Sequence, residues 1–126
     1  MKLSYLMIVS AVVYVIIGIA FVLAPGFVLA LYGGMSMEPL TDHLFGAALI
    51  GFAVLNGLAR NAKAGEALRP IILANLVFNT IAFIVILLQQ LSGAVNALGW
   101  SSVVISLLLA LGFAYFQFMK PNRAMA

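Results

Sequence analysis

Four long apolar stretches separated by short polar ones divide this chain. They run over residues 3–24 ("LSYLMIVSAVVYVIIGIAFVLA"), roughly 40–60, roughly 70–90 and roughly 97–118. Each run is continuous and lacks the two-residue alternation of a lipid-facing strand, so each predicts a helix. A hydrocarbon core of about 30 Å needs about 20 apolar residues as helix, and all four meet that length. The connector at 25–39, "PGFVLALYGGMSMEP", holds an apolar piece too short to cross, bracketed by Pro-Gly and Gly-Gly breakers. It predicts a short interfacial helix, or a segment folded back on the bundle, with Tyr32 at headgroup depth and Pro39 opening the second span. The polar turn "NAKAGEALR" is short, which makes the second and third spans antiparallel neighbours. The pattern predicts an all-α membrane protein: four transmembrane helices in an up-down bundle, a short interfacial helix between spans one and two, and one membrane domain over 1–126.

Composition supports this reading. The chain is 66% hydrophobic and 7% charged, with mean hydropathy +1.24. A soluble domain of this size has too little interior to hide so much apolar surface. The first span reads as retained: its apolar run exceeds a signal-peptide core, and its small-residue cleavage pattern ends at Ala24, directly before Pro25. Lys2 precedes span one, Arg60, Lys63 and Arg69 lie between spans two and three, and Lys120 and Arg123 follow span four. The other two loops carry Glu38, Asp42 and His43 and no Lys or Arg. By the positive-inside rule, both termini and the middle loop are expected in the cytoplasm. Six scattered cations make no clustered basic face, so no nucleic-acid partner is expected. Trp100, Tyr115, Phe116 and Phe118 read as interfacial anchors.

Chemistry-bearing residues are few. Asp42 and His43 are adjacent and point about 100° apart on a helix, and there is no second histidine or any cysteine. A metal site or bis-histidine haem would need ligands from elsewhere, so no cofactor and no metal are expected. Glu38, Asp42 and His43 are read as outer-interface residues. Span two carries small residues at Gly46, Ala47, Gly51, Ala53 and Gly57, two pairs of which are four apart. Such spacing lets backbones approach in lipid and marks a helix-packing face, within the bundle or toward a partner. Asn75 and Asn79 share one face of span three. At a 1.5 Å rise, Asn75 lies roughly 7 Å beyond Pro70 and Asn56 roughly 6 Å before Arg60. Asn56 and Asn75 are therefore expected to face each other or share a water, with Asn79 nearer the midplane. The three form interhelical hydrogen bonds or a polar notch for a ligand. No catalytic constellation or phosphate loop is present, so no catalytic residue is assigned and an enzyme is not expected.

The segments "LAPGFVLALYGG" and "LFGAALIGFAVLNGLARN", followed by a basic turn, resemble the small four-span bacterial membrane families of unknown function, similar in outline to the DoxX-like group and related families. The resemblance implies a multi-pass protein of a bacterial-type inner membrane and carries no catalytic residue across. The first functional expectation is a structural or accessory role, as a homo-oligomer or as a subunit of a larger membrane complex in the lipid bilayer. The alternative is a binding module for a lipid, quinone or other apolar small molecule. Transport comes third, because spans one, three and four hold no ionisable group but tyrosine.

Overall fold

The computed structural model describes residues 3–33, 39–60, 68–93 and 95–119. Among them every regular element is helical: α1 (Leu3–Leu23), α2 (Pro25–Leu31), α3 (Pro39–Ala59), α4 (Leu68–Leu91) and α5 (Gly99–Ala114), which ends in a π-helical turn (Tyr115–Met119). Four helices are long and apolar enough to cross a membrane, and α2 is the short helix between the first two. Glu38, Lys2, Lys63, Lys120 and Arg123 lie outside the described residues.

Prolines and an asparagine set the boundaries. α1 stops at Leu23 because Pro25 has no N–H to continue the ladder, and the same proline sits at the start of α2. α4 starts at Leu68, two residues earlier than expected. Pro70 is accommodated there because N–H groups in the first turn have no intrahelical acceptor. α5 starts at Gly99, two residues late, since Asn96 organises a turn by accepting the Leu98 N–H at 3.0 Å. Gly33 and Gly93, with φ of 84° and 83°, end the turns after α2 and α4 in the left-handed region.

The helices pair as α1 with α3 and α4 with α5. Gly18 and Gly46 let the first pair close: a Cβ at Gly46 would lie 2.6 Å from the Gly18 carbonyl oxygen and 2.8 Å from the Val22 nitrogen. In the second pair a Cβ at Gly99 would strike Gln90 Oε1. At the end where α1 and α4 begin, here the near end, Leu6 of α1 packs on Gly112 of α5. Leu6, Met7, Leu49, Ile72 and Phe113 form the buried core with Tyr14, whose ring meets Phe52 and Phe78 edge-on at 5.9 and 5.7 Å. Leu23 and Leu58, each 77% exposed, stand on the outer surface that hydrocarbon would cover.

Two expectations change. The small residues of α3 divide: Gly46 and Ala53 are buried, whereas Ala47 and Gly51 face outward, and no atom approaches a Cβ placed at Gly51 or Gly57. Within the bundle the close approach runs through Gly46 of that face, against Gly18 of α1, a partner on another helix that no spacing within α3 reveals. Of the aromatic anchors at the end of α5, Tyr115 and Phe118 are exposed, but Phe116 is 3% exposed and belongs to the core. The π turn changes the rotation per residue there, which separates Phe116 from the outward face.

Gly46→Val should destabilise the protein by about 1–3 kcal/mol through overpacking against α1. Gly51→Val should stay within about 0.5 kcal/mol of wild type. Thermal unfolding in one detergent, followed by circular dichroism, compares the two.

Candidate functional site: a polar network beneath an apolar cavity

Five side chains of α1, α3 and α4 meet in the interior: Ser10, Tyr14, Asn56, Asn75 and Asn79, none more than 2% exposed. Asn56 and Asn75 form a reciprocal amide pair, Asn56 Nδ2 donating to Asn75 Oδ1 at 2.8 Å and Asn75 Nδ2 to Asn56 Oδ1 at 2.9 Å. The second hydrogen of Asn56 goes to Ser10 Oγ at 2.8 Å, and that of Asn75 to the Ile71 carbonyl at 2.9 Å. Ser10 donates to the Met7 carbonyl at 3.0 Å. Tyr14 donates to Asn75 Oδ1 at 3.0 Å and accepts from Asn79 Nδ2 at 2.6 Å, while Asn79 also donates to the Asn75 carbonyl at 2.8 Å.

These contacts fix the amide orientations. A backbone carbonyl only accepts, so the group facing Ile71 O must be the NH₂ of Asn75, and the group facing Asn75 O must be the NH₂ of Asn79. The orientation of Asn56 follows from that of Asn75. Every amide and hydroxyl hydrogen of the five residues then has an acceptor. Asn79 Oδ1 is left with no hydrogen-bond donor among the described residues.

Above this floor, toward the far end, lies a cavity of about 500 Å³. It is lined mainly by aliphatic and aromatic side chains of α1, α2, α4 and α5, with Phe45 and Leu49 from α3 and with Tyr14 and Asn79 at its base. The volume falls in the range of small-molecule sites, roughly 300–1,000 Å³. The cavity exists because α1 and α5, in contact at Leu6 and Gly112, separate toward the far end. Ile16 of α1 and Ile105 of α5 both line it while remaining 62% and 36% exposed, so it opens sideways between the two helices.

α2 covers the far end. Tyr32 shares a hydrogen bond with Ser102 of α5 at 3.1 Å. The Asn96 amide donates to the Leu31 carbonyl at 2.9 Å and its backbone N–H to the Tyr32 carbonyl at 3.0 Å. The connector thus folds over the cavity and is tied to the loop before α5.

The acid and the histidine lie apart from this site. Asp42 is in the first turn of α3. His43 Nδ1 donates to the Val22 carbonyl at 2.7 Å, serving one of the last carbonyls of α1, which have no intrahelical donor. Among the described residues no group of three His, Cys, Asp or Glu side chains could hold a metal ion. Arg60, just past the end of α3, donates to the Gly57 carbonyl of that helix. Ser10 and Tyr14 were absent from the sequence-based candidates. Their signal was that Ser10, Tyr14 and Gly18 recur four apart through the interior of the first span. No protein-family model, curated protein or solved structure matches the chain.

Asn75→Leu should cost about 1–3 kcal/mol by stranding buried partners on Asn56 and Tyr14. The Asn56→Leu/Asn75→Leu double variant should lose less than the two single losses combined, because neither amide is then left alone. Unfolding equilibria in mixed micelles measure both.

Proposed function

We propose that this is a small multi-pass membrane protein that binds an uncharged apolar molecule in the cavity between α1 and α5. The reading rests chiefly on one observation: an apolar chamber, open toward the surrounding hydrocarbon, with a buried polar group at its base. A chamber of about 500 Å³ must be filled, since empty space forfeits dispersion contacts on every lining atom. Among the described residues no ionisable side chain other than Tyr14 and Tyr32 lines the chamber. A charged headgroup would have no partner at that depth, so the occupant is neutral. It enters sideways from the bilayer, and α2 closes the end nearer water.

The setting is a bacterial-type inner membrane, with the near end and both termini in the cytoplasm. Support comes from the one-sided distribution of Lys and Arg, which gathers at the ends of α3 and α4 that share the near end. A structural or accessory role is the second reading, favoured by the outward placement of Ala47 and Gly51 on α3. It expects a defined protein partner in mild detergent that is lost on Gly51→Leu.

Native mass spectrometry of protein released from nanodiscs tests the first reading. A retained neutral adduct is expected on the wild type, and Ala82→Phe, which fills the chamber from α4, should reduce it at least tenfold while the protein stays folded. An adduct-free wild type, or one whose adducts are unaffected by Ala82→Phe, would contradict it.

A further inference from the structure

Resting on that reading, the hydrogen-bond inventory of the chamber narrows the ligand's chemistry. All the donors of the network are committed internally: Asn79 Nδ2 to Tyr14 and to the Asn75 carbonyl, and the Tyr14 hydroxyl to Asn75. Asn79 lines the chamber and is 2% exposed, and its Oδ1 has no partner among the described residues. The amide cannot rotate to present its NH₂ instead, because that would set an oxygen against the Asn75 carbonyl. The base of the chamber is thus an acceptor waiting for a donor.

A second polar group without a partner faces the same space. Ser106 of α5 lines the chamber, is 8% exposed and has no hydrogen-bond partner among the described residues. Gly99 meets Gln90 across the α4–α5 pair. Ser106 lies seven residues beyond Gly99 and Asn79 eleven before Gln90, which places Ser106 roughly 6 Å, one helical turn, above Asn79. Its hydroxyl can donate or accept.

We infer that the chamber selects a neutral long-chain alcohol, whose hydroxyl donates to Asn79 Oδ1 and accepts from the Ser106 hydroxyl. A hydroxyl dissolved in hydrocarbon lacks partners, and this site supplies both of the contacts it needs. A ketone, a quinone carbonyl or an ether can only accept. Each would use Ser106 and leave Asn79 Oδ1 facing an acceptor, and a site with a stranded polar group rejects such analogues strongly.

Three matched probes test this in nanodiscs by competitive native mass spectrometry: myristyl alcohol, its methyl ether and tetradecane. Wild type should bind the alcohol at least tenfold more tightly than the ether. Asn79→Leu should bring alcohol and ether to parity while tetradecane still binds. Ser106→Ala should weaken alcohol and ether together and preserve their ratio. Equal affinity of wild type for alcohol and ether overturns the inference without touching the chamber's role, and needs no variant to fold. Failure of all three probes to bind overturns the proposed function itself.

Discussion

A primary amide in hydrocarbon has only the protein itself to bond with, and Asn56 and Asn75 answer that constraint with each other. The pair lies where α3 meets α4, and those helices belong to different closely packed pairs. Through Ser10 and Tyr14 the same network takes hold of α1. Individual hydrogen bonds of this kind in membranes average about 0.6 kcal/mol, so their sum is no large store of stability. Their effect is on register. Sliding α3 by one residue moves Asn56 by 1.5 Å along the axis and turns it about 100° away, which breaks all its contacts at once. Apolar packing, being non-directional, imposes no such discrimination.

The division between polar and apolar contacts shapes the molecule. Backbone proximity at Gly18 and Gly46 closes the α1–α3 pair along its far half, and Gly99 against Gln90 closes α4–α5. Between the pairs, the near half is held by amides, stacked Phe52 and Phe78 rings and Leu6 on Gly112, while the far half has no equivalent seam. The chamber is the consequence: two tight pairs fastened at one end and spread at the other, with α2 bridging the gap through Tyr32 and Asn96. His43, far from any chemistry, anchors the end of α1 to the start of α3 on the outer side of that gap.

Much of this was legible from residue order. Continuous apolar runs gave the spans, Pro25 and Pro39 marked where helices begin, and the rise per residue brought Asn56 and Asn75 to one height. What escaped were the contacts between helices that no matched pair of strongly polar residues announces. Ser10 and Tyr14 look innocuous in an apolar run, since a lone hydroxyl can bond its own helix; only opposite Asn56 and Asn79 do they become members of a network. Gly51 and Gly57 carry the spacing of a packing motif but meet open space, because rotation of α3 is set by Gly46 and Asn56. The chamber was invisible because it is a divergence of α1 from α5, a property of no single segment.

Side-chain amide hydrogen exchange, read by ¹⁵N NMR in bicelles, tests the central claim most directly. If the network is closed as described, the amide protons of Asn56, Asn75 and Asn79 exchange orders of magnitude more slowly than those of the exposed Asn96, since release requires the helix pairs to part. Exchange of the three buried amides at the rate of Asn96 would mean that water reaches them freely, and the two helix pairs would not be joined in the way described.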